Sequence, residues 1–332
     1  MIKASIIIPM YNVAQYLDKC VKSIIAQNLK PGTFEVIMIN DDSPDNSLEI
    51  ATNLSKQYNF ISIISQKNKG LGGARNTGIQ NAKGDYIIFL DADDWLISNS
   101  VENIIKISDK HKLDILEFGA HLVAESGETV NTISRSSNEI IYNGIEYYNT
   151  IKYAGSACNK LYSRAFLQTN NLLFLEKIFG EDFEFNTRAL FFAKRILAVE
   201  NVCAAFLQSS NSITRNNDRA KKDKYLIDFT HILSSIRDFR DRYSHTNQSE
   251  SVSSFFNERL TMVNINAFYL MFKNNYSFNE INKYKKTLKE KKLFYIKYPV
   301  AIKKKELFRK VMLKNFFLFR PAQLLKRALN TN

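Results

Sequence analysis

Three carboxylates, Asp91, Asp93 and Asp94, fall within four residues, directly behind the apolar run Tyr86-Ile-Ile-Phe-Leu90. Acidic groups crowded like this repel one another unless a cation sits among them. Carboxylate oxygens are the ligands that hard ions such as Mg²⁺ and Mn²⁺ prefer. The chemistry on offer is a metal site that holds a phosphorylated ligand, and the plainer alternative is a solvated acidic turn. A second acidic pair, Glu181-Asp182, opens a stretch whose Phe183, Leu190, Phe191 and Ala193 have helical spacing. That pair is either the source of a general base or two charges that suit the positive end of a helix.

The elements around these residues decide what they can meet. Residues 86–90 read as a strand buried on both faces. Ahead of it lie strands at Ala4–Ile8, closed by Pro9, at Phe34–Ile39 and at Ile61–Ile64. Residues 13–27 carry Val13, Leu17, Cys20, Val21, Ile24 and Ile25 at helical spacing, and a second helix follows Pro44-Asp-Asn-Ser47. The glycine-rich stretch Asn68–Gly73 opens a helix over Ala74–Ala82, capped by Gly84. The order βαβαβαβ predicts a parallel sheet with right-handed crossovers. Tyr11 and Asn12, Asp41 to Ser43, the loop after Ile64 and Asp91 to Asp94 then converge on one sheet edge. Ligands of open α/β sheets bind at that edge, so the convergence predicts a nucleotide site. Trp95 is expected to pack under the acidic turn. Helices are expected at 98–109, 144–152, 163–168 and 181–194, strands at 114–123 and 199–207, and a hairpin turn at Gly127.

At 332 residues the chain suits one large domain or two, and its composition is that of a soluble globular protein. No run approaches the ~18 apolar residues of a membrane span, and residues 1–9 lack the apolar core of a signal peptide. Cys20, Cys158 and Cys203 have no metal-type spacing and read as reduced core thiols of a cytosolic protein. His111, His121, His231 and His245 stand in no motif and read as surface or packing residues. Residues 220–332 hold 24 Lys and Arg against 9 Asp and Glu, a net of +15, while residues 1–219 are at −2. From about 219 the chain reads as wholly helical. Within 303–329, Leu307, Phe308, Val311, Met312 and Phe316 to Phe319 lie among Lys303 to Lys305, Arg309, Lys310, Lys314 and Arg320. A basic amphipathic helix of this kind suits an anionic bilayer; the other reading is a terminal helix docked on the protein's own core. No nucleic-acid-binding motif accompanies the charge, and no nucleic acid is expected.

Read together, the motifs resemble those of family 2 inverting glycosyltransferases of the bacterial cell-surface polysaccharide type. They are Ser5-Ile-Ile-Ile-Pro-Met-Tyr-Asn12, Asn40-Asp-Asp-Ser-Pro-Asp45, Asn68-x-Gly70 with Gly73-Ala-Arg-Asn76 and Gly78, and Asp91-Ala-Asp-Asp94. Asn159-Lys-Leu-Tyr162, Gly180-Glu-Asp182 and Ser212-Ile-Thr214 are similar to acceptor-side motifs of bacterial members. The resemblance covers about residues 3–215 and rests on seven motifs in order. It implies the GT-A fold, a mainly parallel Rossmann-like sheet flanked by helices. The domain would span 1–218, with a nucleotide-sugar half at 1–97 and an acceptor half at 98–218, and a basic helical extension at 219–332.

The resemblance also implies roles. Pro9, Tyr11, Asn12, Asp42, Ser43, Asn68, Gly70 and Ala92 would border the nucleotide, and Asp41 would accept from the uracil N–H. Arg75 would lie near base and phosphates. Asp91 would bind the ribose or a metal-bound water, and Asp93 a Mn²⁺ or Mg²⁺ ion, with Asp94 as second choice for either role. Asp182 would be the general base, with Glu181 orienting the site. Asn159 and Lys160 would face the acceptor, Lys160 contacting acceptor or diphosphate unless it forms a structural ion pair. A glycine is common in the family where Asp42 stands, and a tryptophan where Cys158 stands. The donor would be a nucleotide-linked sugar, UDP above all. The acceptor would be a glycan or an undecaprenyl-diphosphate-linked glycan of capsule, exopolysaccharide or O-antigen assembly, met in the cytoplasm at the inner membrane face. A strand ending in Asp-x-Asp also resembles haloacid-dehalogenase-type phosphatases, in which Asp91 would attack phosphorus. That pattern belongs on the first strand of its domain, and here the strand is the fourth. A non-catalytic nucleotide-sugar-binding scaffold is the third reading.

Overall fold

Strict alternation of strand and helix builds the first ninety residues of the computed structural model, which describes residues 1–151, 155–209, 218–243 and 249–329. Strands β1 (Ala4–Met10), β2 (Phe34–Asn40), β3 (Ile61–Ser65) and β4 (Tyr86–Phe89) alternate with helices α1 (Ala14–Ile25), α2 (Ser47–Gln57) and α3 (Gly70–Asn81). The strands are parallel in the spatial order β3-β2-β1-β4. Every residue of β1 and β4 is buried, which follows from helices on both faces. Ile6, Ile8 and Met10 join one core cluster with Leu17, Cys20, Val21 and Ile24 of α1 and Ala51 and Leu54 of α2. On the opposite face, Ile7 lies so close to Gly78 of α3 that a Cβ there would collide with it.

Three boundaries differ from expectation. Strand β1 continues through Pro9 to Met10. Leu90 N–H donates to Ile7 O, and two residues on, the proline nitrogen faces the same side, past the last paired residue of β4. The missing donor therefore costs no ladder bond. Helix α3 begins at Gly70, four residues early, because the glycines themselves form its first turn. Gly84 does not cap it; α3 ends at Asn81 with Ala82 as its cap, and Gly84 N–H donates to Ser5 Oγ in the turn leading to β4.

Beyond β4 the sheet is mixed rather than mainly parallel. The elements are β5 (Trp95–Leu96), α4 (Val101–His111), β6 (Ile115–Val123), β7 (Thr129–Ile133), α5 (Gly144–Ile151), β8 (Lys160–Ser163), α6 (Arg164–Thr169), α7 (Glu181–Phe192) and β9 (Ile196–Leu207). Strand β8 runs antiparallel to both β4 and β6, β9 runs parallel to β6, and β5 antiparallel to β9. Strand β7 forms a hairpin with the end of β6 that β8 leaves free, and Gly127 supplies the φ of +89° in its turn. Strand β9 starts three residues before the expected 199, because Ile196 to Ala198 already pair with Ile115 to Glu117.

The chain divides into two units, Met1–Ser212 and Ile213–Asn332. The second is helical: α8 (Arg219–Tyr243), α9 (Glu250–Lys273), α10 (Phe278–Glu290), α11 (Lys303–Phe308) and α12 (Phe319–Leu329). Helix α9 is apolar nearly all round, the mark of a central helix. Helix α10 opens with a reciprocal Ser277–Glu280 cap. The stretch 303–329 is not one continuous amphipathic helix. A π turn at Arg309–Leu313 and a 3₁₀ turn at Phe316–Leu318 break it. Phe308, Phe316 and Phe319 pack on Phe268 and Phe272 of α9, with ring centroids 5.2–6.5 Å apart. Among the described residues no helix is long and apolar enough to cross a membrane.

Candidate active site

The loops after β1 and β2 are sewn together before any ligand is considered. Asn12, held at φ +57°, donates its N–H to Ser43 Oγ at 2.8 Å. Asp45 accepts from Ser43 Oγ, from Ser47 N and Oγ, and from Ala14 N at the start of α1. Burial pushes its pKa up, but the donors from Ser47, Ser43 and Ala14 outweigh burial and hold it at about 2. Tyr11 is left 53% exposed at this edge, with Asn12 and Asp42 exposed beside it, Ser43 half-buried, and Pro9 and Ala92 buried. Asp42 sits at φ +63°, a conformation in which a Cβ is a burden. That accounts for the glycine common in the family at this place.

Asp41 is buried just past the end of β2. Its Oδ1 accepts from Gln66 Nε2 at 2.7 Å and Lys69 N at 2.8 Å, and its carbonyl accepts from Asn68 Nδ2. Oδ2 has no protein donor among the described residues, so one acceptor stays open for a ligand N–H. Asn68 Oδ1 also accepts from Gly70 N. Gly70 itself needs φ +74°, and its Cα lies against the Lys177 backbone, which donates to Lys69 O.

Arg75, expected near base and phosphates, is the hub of a cluster of carboxylates. It is 1% exposed. Nη2 donates to Asp91 Oδ1 at 2.8 Å, while Nη1 donates to Glu181 Oε1 at 2.8 Å and Asp182 Oδ1 at 2.7 Å. Its guanidinium lies 5.2 Å from the Phe174 ring centroid, and Nε has no hydrogen-bond partner among the described residues. One cation thus ties the end of β4 to the head of α7. The helix-end reading of Glu181-Asp182 holds, since the pair opens α7 behind Gly180 at φ +81°. Burial first, then Asp182, raises Glu181 to about 7 against the pull of Arg75. Asp182 Oδ2 accepts from Ala157 N at 2.9 Å.

The three acids of the turn have different surroundings. Asp91 gives one oxygen to Arg75. Asp94 is buried, gives Oδ1 to Leu207 N of β9, and is raised by burial, Asp93 and Asp91. Asp93 has no side-chain partner among the described residues, and burial and then Asp91 push it to about 6. Among the described residues, no three His, Cys, Asp or Glu side chains gather into a metal cage. Asp93 is therefore the residue that fits a cation, as a single protein carboxylate whose excess charge a hard ion would relieve.

Lys160 forms the structural ion pair of its alternative reading. It is 2% exposed, ion-paired to Glu117 at 3.2 Å, and donates to Ser156 O and Asn159 Oδ1. Asn159 is likewise buried, donating from Nδ2 to Phe118 O. The two hold the segment that delivers the Ala157 N–H to Asp182. Ser212-Ile-Thr214 and His245 lie outside the described residues.

Sequence reasoning missed Asp45, Gln66, Lys19 and Glu125. The last two border a cavity of about 270 Å³ beside Asp93, Asp94 and Trp95. Trp95 carries the Lys19 ammonium over its ring, 3.1 Å from the centroid. Asp45 could have been found from the Asx–Ser pattern Ser43-Pro-Asp-Asn-Ser47, which favours a local hydrogen-bonded turn. Nothing local marks Lys19 or Glu125.

Comparison with known proteins places this geometry. The profile described as Glycosyl transferase family 2 matches residues 5–170, half of the chain. The chain is 32% identical over 228 residues to the uncharacterized glycosyltransferase EpsJ of Bacillus subtilis (strain 168), a match covering 67% of this chain and 66% of EpsJ. It is 31% identical over 224 residues to glycosyltransferase GlyA of Streptococcus pneumoniae, covering 64% of this chain and 32% of GlyA. It therefore spans just under two thirds of the first and about a third of the second. Among solved structures, Staphylococcus aureus TarS 1-349 in complex with UDP-GlcNAc is similar in fold, with a TM-score of 0.59 at 20% identity over 82% of this chain and 83% of that one.

Proposed function

The chain belongs to glycosyl transferase family 2, and from that premise we propose that it moves a sugar from a UDP-linked donor to a glycan acceptor with inversion at the anomeric carbon. The observation that carries the proposal is the Arg75 hub, which brings Asp91 and Asp182 onto one guanidinium. Donor-side and acceptor-side carboxylates so joined belong to a single reaction centre. Asp41, with Oδ2 open, suits a uracil N–H, and Tyr11 is exposed where a base could stack. The UDP-GlcNAc bound by the TarS neighbour supports the same nucleotide.

Asp182 takes the proton from an acceptor hydroxyl as that oxygen attacks the anomeric carbon. The bond to the diphosphate breaks, its electron pair leaves with the nucleoside diphosphate, and an α-linked donor yields a β-linkage. Glu181 and Arg75 hold Asp182 in place, and Asp93, with Asp91 nearby, would hold a Mn²⁺ or Mg²⁺ ion. When bound, that ion supplies charge neutralisation for the departing diphosphate. The acceptor is a growing surface glycan, free or carried on undecaprenyl diphosphate. The protein works in the cytoplasm at the inner membrane face, contacting anionic lipid through 303–329.

The test is a donor screen. Purified protein is incubated with Mn²⁺ or Mg²⁺ and a panel of UDP-, GDP- and dTDP-sugars, with and without lipid-diphosphate-sugar acceptors, and nucleotide diphosphate release is followed. Metal-dependent UDP release is expected. Silence across the panel with no nucleotide binding by calorimetry, or phosphate trapped on Asp91, would overturn the proposal.

A further inference from the structure

The fold sorts the side chains of 303–326 into two sets. Phe308, Met312, Leu313, Phe316 and Phe319 point inward, each 9% exposed or less. Leu307, Val311, Phe317, Leu324 and Leu325 point outward, from 41% to 70% exposed. Along α11 and the π turn, Lys303, Leu307 and Val311 follow at intervals of four, so they share one strip. Lys304, Lys310 and Lys314 are exposed along the same run. On α12, Arg320 and Leu324 share the next strip, again four apart and exposed.

The charge on this outward face is one-sided. Glu306 is the only acid within 303–329; Arg309 occupies both of its oxygens from the buried side at 2.8 and 2.6 Å, and Lys310, 62% exposed, reaches it at 3.6 Å. Five cations and five apolar side chains are left facing water. Lysine is depleted from the cores of protein interfaces. A nucleic acid would use the cations but not the bare leucines and phenylalanine. A bilayer with anionic headgroups uses both: the ammonium groups stay at headgroup depth on flexible stems while the apolar side chains enter the acyl boundary.

We propose that this face is a preformed landing patch for an anionic bilayer, one that docks as folded rather than folding on contact with lipid. The inference rests on the proposed membrane contact of 303–329 and deepens it by naming the residues and the manner. Phe308, Phe316 and Phe319 are already packed on α9, so the segment has no second apolar stripe to insert. Binding is shallow, reversible and salt-sensitive.

The experiment uses the full chain and vesicles of phosphatidylglycerol with phosphatidylethanolamine, against pure phosphatidylcholine. Sedimentation with the anionic vesicles is expected, weakening as salt rises, with no gain in helical circular dichroism. Lys310→Gln with Lys314→Gln should weaken partitioning about five-fold per charge. Leu307→Ser, Val311→Ser and Phe317→Ser together should weaken it by about 1000-fold, at about ten-fold for each apolar side chain withheld from the acyl boundary. Lys286→Gln, on an exposed part of α10, should change nothing. Equal binding to both lipids, a rise in helicity on binding, or an equal loss in the Lys286 control would each overturn the patch. These outcomes are independent of donor turnover. A chain that releases UDP from a nucleotide sugar in solution yet ignores the vesicles sinks the patch and leaves the transferase reading intact.

Discussion

Arg75 is 1% exposed and Arg309 2%, yet the charge around the two buried arginines is balanced in opposite ways. In the helical unit, Arg309 meets one carboxylate with two hydrogen bonds and gives Nη1 to the carbonyls of Ile296 and Lys297. Glu306 responds as a well-paired acid should, held at about 2 with its Arg309 bond as the leading cause. In the α/β unit, Arg75 meets three carboxylates, its Nε has no partner among the described residues, and Glu181 is driven to about 7. One cation cannot neutralise three anions. A fully satisfied buried pair serves the fold, whereas an over-charged one costs stability and is kept where a ligand or a proton completes it.

If the Arg75 cluster is a reaction centre, its acceptor-side carboxylate must carry the transfer. Asp182→Asn should keep UDP affinity by calorimetry while the transfer rate falls by roughly 10²–10⁴-fold, the usual worth of an aligned base. A normal rate would reduce the cluster to a structural knot like that of Arg309. Removing each cation separates the two further. Arg75→Met should destabilise the α/β unit by about 3–5 kcal/mol at pH 8, because it strands buried anions. That penalty should shrink at pH 5, where Glu181 takes up a proton. Arg309→Met should cost less, since Glu306 is 16% exposed and can be hydrated. Its cost should be flat from pH 5 to 8, because Glu306 loses its advantage only as pH falls toward about 2. Urea unfolding at both pH values checks this, and parallel pH dependences would erase the contrast.

Glu181 sharpens the same point alone. Its folded pKa of about 7 lies above the ordinary carboxylate value of 4.5. The native state therefore holds the proton more tightly than the unfolded chain. The stability that this confers is full below about 4.5 and is lost as pH rises through about 7. Glu181→Gln removes the titration, so the variant should gain on the wild type by about 3 kcal/mol between pH 4.5 and pH 8. Melting temperatures across that range are the readout, and a constant difference would mean that Arg75 keeps Glu181 ionised throughout.

Much of this was legible in the sequence because it is local. Apolar runs of strand length, helical spacing between them and polar residues at each strand end place the loops of β1, β2 and β4 on one edge. What escaped was non-local or two-sided. Arg75 meets partners 106 and 107 residues away, and no periodicity reports that. The positive φ of Asn12 and Asp42 depends on how two loops meet. The tail shows the limit of amphipathicity: Leu307 and Val311 form one stripe, Phe308, Met312 and Phe316 another, both with helical spacing. Only packing on α9 decides which is inside.

The smallest expected effect is that of a double variant at a buried cation of the α/β unit that is balanced in the manner of Arg309. Lys160 and Glu117 are each 2% exposed, and the ammonium also meets Ser156 O and Asn159 Oδ1. Burial lowers the Lys160 pKa, with Glu117 opposing. If the pair serves only the fold, Lys160→Met alone should cost about 3–5 kcal/mol by leaving Glu117 without its cation. The double variant with Glu117→Leu should then return to within about 1 kcal/mol of the wild type, because two apolar side chains of similar volume replace two desolvated charges. The double variant would still lack the donor that pins Ser156 O, and with it the fixed Ala157 N–H that Asp182 accepts. Recovered stability with a transfer rate still below wild type would tie the pair to the placement of Asp182. Recovery of both would make it as purely structural as the Arg309–Glu306 pair.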